Sequence, residues 1–299
     1  MTDSYYQSRI NQALKFIDTH LAEEVRINDL AREAHFSSFH FQRIYKALVN
    51  ETPHETLLRR KLERAASLLK RDQRLKVKEV AIEAGFGSVE NFTRQFKQRY
   101  NITPSQLRKD PDIQNSRIYQ EKPEQDFHLA YEEGRKRAPV AFDVSIEQLD
   151  AIPVALTRAV FGQDGSALVA AYEMLMAWYE ARGNHRTGSR RFGMSIDDPD
   201  VTPANHYRYD FAVGLAEVFE PEGLIEATEI PGGLFAVLAC QGDLPTVAQA
   251  WDHLYKVWLP TSGYVPRHYP AVEEFLKGPE QIGWQQFDLL LKIPIEKIN

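Results

Sequence analysis

The sequence predicts a two-domain chain: an all-α N-terminal half with two helix-turn-helix units, then an α+β half of two strand-helix-strand-strand repeats sharing one antiparallel sheet. Three observations predict it. At 299 residues the chain exceeds one typical domain. The segment from Arg26 to Arg60 returns fifty residues later, from Lys76 to Arg108. Beyond residue 140 a second, unrelated repeat recurs at an offset of 78 to 80.

The first predicted element is an amphipathic helix over residues 5 to 22, with Ile10, Leu14, Ile17 and Leu21 on one stripe. The doubled segment follows. Ala31, Ala34, Phe36 and Ser38 precede Ala81, Ala84, Phe86 and Ser88 by fifty positions. Phe41, Arg43, Tyr45, Lys46, Asn50, Thr52 and Pro53 precede Phe92, Arg94, Phe96, Lys97, Asn101, Thr103 and Pro104 by fifty-one. In each copy paired alanines let two helices cross closely, and in the second Gly85 supplies a permissive turn. Ser88 caps the helix that follows, where Phe92, Phe96 and Tyr100 make one apolar face and leave Asn91, Arg94 and Lys97 pointing elsewhere. Both copies end in a capping box, Thr52-Pro53-His54-Glu55 and Thr103-Pro104-Ser105-Gln106, and so each starts a new helix. The first of these reads as one helix from Pro53 to Arg71, with Leu57, Leu58, Leu62, Ala65, Leu68 and Leu69 inward and Arg59, Arg60, Lys61, Arg64 and Lys70 mostly outward. It spans almost 30 Å at about 1.5 Å per residue, close to one turn of duplex DNA.

Residues 110–139 carry mixed charge, three prolines and little periodicity, which marks a linker between a domain at 1–109 and one at 140–299. It serves either as a tether or as a segment that docks on one domain. In the second domain Ile152-Pro153 returns as Ile230-Pro231, Trp178 as Trp258, Gly183 as Gly263 and Tyr209-Asp210 as Phe287-Asp288. Helices are expected at Leu168 to Ala181 and at Val247 to Leu259, the latter ended by Pro260. Strands are expected at Val154 to Val160, Tyr207 to Leu215, Leu234 to Cys240 and Phe287 to Ile293, pairing so that a cleft lies at the seam.

Net charge is −6, but it is unevenly placed. Residues 1–110 hold 20 Lys or Arg against 14 Asp or Glu, net +6, which leaves −12 for the rest. A basic half that meets phosphates, joined to an acidic half that does not, fits this split, as does an ordinary difference between two solvated surfaces. The single cysteine, Cys240, excludes an internal disulfide framework and suits a reducing cytoplasm. The chain starts without a signal-peptide pattern, and no stretch approaches the ~20 apolar residues of a membrane span.

The segments AHFSSFHFQRIYK and AGFGSVENFTRQFK, with the Thr-Pro helix starts after them, resemble the DNA-binding domain of the AraC/XylS family across residues ~10 to ~108. Two departures stand out: His35 where the family has glycine, and Arg26 and Lys76 where it has a threonine or serine cap. Asp29 and Glu79, three residues on, still suit the positive helix end. The resemblance implies a regulator that enters two major grooves of double-stranded DNA, with RNA polymerase as a further partner. Arg43 and Arg94 suit bidentate reading of guanine, Gln42 adenine and Phe39 a thymine methyl. Glu90 and Asn91 join Arg94 on the second reading helix, while Lys46, Lys97, Arg59 and Arg60 suit phosphates.

The second half, residues 142 to 297, resembles the gyrase-inhibitor-like effector-binding domain of some AraC-type regulators, through IPGGLFAVLACQG, WLPTSGY, PAVEEF and LLLKIPI. The loop Phe161 to Leu168 lacks the Gly-Pro-Tyr that such domains often show. The resemblance implies a small organic effector, cationic or aromatic, held by Glu273 with Tyr209, Tyr255, Trp258 and Trp284 among the ring walls. A register slip of one residue would exchange Glu273 for Glu274. G-x-S-x-G, H-E-x-x-H and a glycine-rich phosphate loop are absent, His185, His206, His253 and His268 have no ligand spacing, and neither cofactor nor metal is expected. Two alternatives for this half stay open: a hydrolase using Glu273 with a tyrosine, and a protein-interaction or sequestration module.

Overall fold

The computed structural model describes residues 2–72, 74–114, 117–118, 132–138, 140–160, 165–216, 220–267 and 269–298; the side chains of residues 2–4, 39, 114 and 204 lie outside the described set. Most of the expected linker and the 161–164 part of the Phe161 loop also lie outside it. The chain divides into two compact units, Met1–Glu121 with Asp198–Pro203, and Lys122–Asp197 with Ala204–Asn299.

The first unit is helical: α1 (Thr2–Thr19), α2 (Ile27–Glu33), α3 (Ser38–Val49), α4 (Pro53–Arg71), α5 (Val77–Glu83), α6 (Val89–Tyr100), α7 (Pro104–Lys109) and the short α8 (Pro111–Gln114). α1 ends earlier than its apolar stripe suggested, with Leu21 still buried in the turn beyond it. Ile10, Ile17, Leu30, Ala31, Phe41 and Tyr45 form the core of the first helix-turn-helix. Leu62, Leu69, Val80, Ala81, Phe92, Phe96 and Tyr100 form much of the second.

The repeat is visible at every boundary. Ser37 and Ser88 cap α3 and α6 through the amides of His40 and Asn91. Both helices end on a left-handed asparagine, Asn50 at φ 58° and Asn101 at φ 59°. Thr52 and Thr103 accept the amides of Glu55 and Gln106 at 3.2 Å each, and those two side chains accept the threonine amides at 2.7 and 2.8 Å. At the weaker starts, Asp29 and Glu79 accept the amides of Arg26 and Lys76, half of a capping box. In the two turns His35 sits at φ 52° and Gly85 at φ 81°. Gly85 meets close backbone, since a Cβ there would lie 2.0 Å from the Leu21 carbonyl oxygen.

The second unit contains one antiparallel sheet of β1 (Val144–Leu149), β2 (Ile152–Val160), β3 (Arg191–Ser195), β4 (Arg208–Gly214), β5 (Glu226–Ile230), β6 (Gly233–Gly242), β7 (Tyr264–Pro266), β8 (Val272–Phe275) and β9 (Phe287–Lys297). The order is β1-β6-β9-β8-β3-β4-β2-β5, with β7 on the far part of β9. It reads as a palindrome: β1, β2, β3 and β4 of the first repeat answer to β5, β6, β8 and β9 of the second. β3 and β8 meet at the centre, with Gly193 opposite Glu273. Those two residues are eighty apart, the same spacing as Gly183 (φ 78°) and Gly263 (φ 75°).

The offset of 78 fails at Ile-Pro. Ile152 opens β2 while Ile230 closes β5, and the two are cross-strand partners and not equivalents. β1 and β5 were not foreseen: both are edge strands, β1 with mostly exposed side chains and β5 with only Ile230 buried. Two helices cover one face. α9 (Ser166–Glu180) packs on β2 and β4, and α10 (Leu244–Asp252) on β6 and β9. α10 starts three residues before the expected position because Asp243 caps it and Pro245 occupies its first turn. Pro260 does not end it; the helix widens into π turns at His253–Trp258 and tightens to a 3₁₀ turn at Leu259–Thr261.

Candidate DNA-reading surface and effector site

On α3, Gln42, Arg43 and Lys46 are exposed, on the side away from buried Phe41 and Tyr45. They line an open cleft of about 450 Å³ completed by Ala47, Thr52 and Pro53, so that α3 and the start of α4 share one concave surface. Lys46 Nζ lies 3.8 Å from Glu55. The Phe39 side chain is outside the described set. On α6, Glu90, Asn91, Arg94 and Lys97 are exposed, opposite the ring ladder Phe92, Phe96 and Tyr100 with centroid spacings of 5.5 and 4.7 Å. Arg94 donates to Asn91 Oδ1 at 3.0 Å, which holds the guanidinium along the helix face.

Arg59 and Arg60 do not belong to this surface. Both are buried, at 4% and 5% exposure. Arg59 grips Glu51 at 2.7 and 2.8 Å and Glu63 at 3.2 Å, and Arg60 reaches Glu63 at 3.2 Å and Asp18 at 3.7 Å. Their place in a run of basic residues concealed three acidic partners from α1, the α3–α4 turn and α4 itself, and desolvated guanidinium groups are stable only when so paired.

In the second unit the strand alternation separates the two candidate carboxylates. Glu274 faces away from the helices and is paired with Arg190 at 2.7 Å and with Lys292. Glu273 faces α10, where Tyr209 Oη and Trp251 Nε1, the latter at 2.8 Å, donate to its two oxygens. Among the described residues it has no ion pair. Burial raises its pKa, opposed by those two hydrogen bonds.

Rings gather on both sides of this carboxylate. Trp251 stacks on Tyr255 at 5.9 Å. On the other side Tyr209 meets Phe211 edge-on at 4.9 Å, Phe211 meets Tyr172 at 5.5 Å, and Trp284 closes on Tyr172 at 5.3 Å while remaining 38% exposed. Tyr172 accepts from Arg191 and donates to Glu280, and burial pushes its hydroxyl up to about 12. Trp258 is seated apart, stacked on Tyr264 at 6.4 Å. Trp251, the residue sequence reasoning missed, has the helical position of a core aromatic and no signal of its own. Cys240 is buried and its thiol is raised to about 12, so it is an inert packing residue.

Residues 132–138, the described end of the linker, dock on α10. Arg137 holds Asp243 with two bonds of 2.8 Å, Arg135 reaches Asp252 at 3.2 Å, and Gln249 donates to the Ala138 carbonyl at 3.0 Å.

A helical module whose two helix-turn-helix units each expose one polar helix face and an α+β module with a carboxylate among aromatic rings together define a DNA-binding protein with a small-molecule-binding partner domain. A family model described as a GyrI-like small molecule binding domain matches residues 142–296, and one described as a helix-turn-helix domain matches residues 30–110. The chain belongs to the AraC-type helix-turn-helix regulators that carry a GyrI-like small molecule binding domain. It is 32% identical over 113 residues to the probable transcription factor PqrA of Proteus vulgaris, a match that covers 37% of this chain and 91% of that one. It is 34% identical over 105 residues to the uncharacterized HTH-type transcriptional regulator YbfP of Bacillus subtilis, spanning 35% of each. A DNA gyrase inhibitor of Erwinia billingiae is 28% identical over 129 residues, 42% of this chain and 80% of its own. Among the described residues no helix is long and apolar enough to cross a membrane, and no group of three or more His, Cys, Asp or Glu is placed to hold a metal ion.

Proposed function

We propose that α3 and α6 enter two successive major grooves of one duplex, and that an organic cation or polar aromatic effector bound over Glu273 adjusts the regulator's output. Arg43 and Arg94 read bases, with Gln42, Glu90 and Asn91 beside them, while Lys46 and Lys97 meet phosphates. RNA polymerase is a further partner in this reading. What carries the effector half is the state of Glu273: a half-buried carboxylate with rings around it, two neutral donors and, among the described residues, no cation, an arrangement that a lipophilic cation completes electrostatically. We take it as a binding site, since Tyr209 and Trp251 each spend their only donor on holding the carboxylate.

Titration calorimetry of the full chain and Glu273→Gln against tetraphenylphosphonium tests the effector half. The wild type binds and the variant does not; equal affinity removes Glu273 from the site. For the DNA half, Arg43→Ala and Arg94→Ala each cost about 1 to 3 kcal/mol on a selected duplex and relax preference at separate base positions, whereas Lys46→Ala weakens all duplexes alike. An unchanged ratio of selected to random binding in both arginine variants sinks the reading-helix assignment.

A further inference from the structure

The buried ions that replace the expected phosphate contacts have a common geometry. Glu63, in the middle of α4, is shared by three guanidinium groups: Arg59 and Arg60 of the same helix, each at 3.2 Å, and Arg99 of α6 at 3.6 Å. Arg59 in turn clasps Glu51, which also accepts from Thr56 Oγ1 at 2.9 Å. Glu51 follows directly on Asn50, the left-handed cap that ends α3. Arg99 lies one residue before the last of α6. The C-terminal ends of both reading helices are therefore tied to the same turns of α4 by one chain of charges, Glu51–Arg59–Glu63–Arg99. Arg60 adds α1 through Asp18.

Position in the repeat makes this chain unlike ordinary repeat packing. Asn50 answers to Asn101, so Glu51 answers to Ile102 and Arg99 to Leu48. Neither helix-turn-helix contains the network by itself, because each supplies the half that the other lacks. The apolar cores hold α3 and α6 each within its own unit. The ions run across the two helix-turn-helix motifs, and the fork of Arg59 on Glu51, with Arg59 at 4%, Glu63 at 7%, Glu51 at 15% and Arg99 at 28% exposure, resists sliding and rotation in a way that apolar surfaces do not.

We infer that the Glu51–Arg59–Glu63–Arg99 network is the positioning device that sets the distance and rotational phase between the two reading helices, and so selects the spacing of the two half-sites on DNA. None of its members touches a base in this scheme. It rests on the two-groove reading above, and its failure is separable from failure of that reading.

The test uses the full chain and a duplex selected by the wild type from a random pool. From it are made versions with one or two base pairs inserted between the half-sites, and a version with one half-site scrambled. The wild type loses at least about tenfold on insertion, as a rigid pair of helices must, since each base pair rotates the second groove by about 35°. Glu63→Gln narrows that spacing penalty to within about threefold, binds the original duplex more weakly, and keeps its affinity for the single half-site within about twofold. Arg99→Met, which leaves Arg59 and Arg60 both paired with Glu63, shows the same pattern, and Arg99→Lys restores part of the penalty; this pair decides the matter if circular dichroism shows Glu63→Gln unfolded. A spacing penalty unchanged in folded variants overturns the inference alone. Half-site and full-site affinities that fall by the same factor reduce the network to general stability and overturn it too. A wild type with no spacing penalty overturns it together with the two-groove reading.

Discussion

Gly193 and Glu273 face each other as cross-strand partners at the centre of the sheet, and the space a side chain would take at Gly193 holds the Tyr209 hydroxyl that donates to Glu273. A Cβ there would lie 1.7 Å from that oxygen. Gly193→Ala therefore displaces the tyrosine ring from the carboxylate. One lost hydrogen bond to a charged group corresponds to about a ten- to hundredfold fall in affinity for tetraphenylphosphonium, read by calorimetry. Tyr209→Phe removes the same bond without crowding and should reproduce the fall; an alanine variant with wild-type affinity contradicts the arrangement.

The titration of Glu273 sets a pH dependence. Burial raises its pKa in the folded chain, so the folded state holds the proton more tightly than the unfolded one. Its stabilising contribution is complete below the unfolded glutamate value of about 4.3 and is lost as pH rises through the raised folded value. Glu274 and Glu280 shift downward and act in the opposite direction, but they are common to wild type and Glu273→Gln and cancel in the difference. Thermal unfolding from about pH 4 to 8 should show wild type losing ground to Glu273→Gln as pH rises, with tetraphenylphosphonium reversing the trend. A difference independent of pH removes the shift.

Arg59→Met is expected to act on stability and not on phosphate contact. Breaking a buried pair from one side costs about 3 to 5 kcal/mol, which a urea titration resolves easily. The slope of log affinity against log salt on DNA should stay unchanged, since no phosphate contact is removed. A slope reduced by about one, with stability retained, would return Arg59 to the DNA surface.

The turn between α2 and α3 offers a gain. His35 holds φ 52°, which costs a residue with a Cβ roughly 1 kcal/mol, and its side chain is exposed. His35→Gly should raise unfolding stability by about that amount, whereas Gly85→Ala in the equivalent turn should lower it. A loss of stability in His35→Gly would mean that the imidazole contributes something its exposure does not suggest.

The helical half was legible in the sequence because its signals are local. Ser88, Thr52 and Thr103 announce helix starts, and Phe92, Phe96 and Tyr100 announce a face, whatever the rest of the chain does; the counterpart of Ser88 is Ser37 and not Ser38, because the cap falls after the one-residue shift in the repeat. Arg59 and Arg60 were misread because Glu51 and Asp18 become their neighbours only after the helices pack, while Glu63, already beside them at i+4 and i+3 on α4, was overlooked in the basic run. In the sheet, the strands β2, β4, β6 and β9 were legible, while the edges β1 and β5 went unassigned. Glu273 was found through resemblance. Its donor Trp251 and the glycine that admits Tyr209 follow from cross-strand register, which no local pattern encodes.

The palindromic strand order makes the two copies interdependent. β1, at the start of the first repeat, completes the sheet of the second by pairing with β6, and β5, at the start of the second, completes the first by pairing with β2. Each copy lends its leading strand to the other. A chain cut between the copies would leave two lone ribbons and two bare sheet margins open to adhesion with foreign strands. Each copy therefore depends on the other for one margin of its sheet, and the seam that carries Glu273 belongs to both.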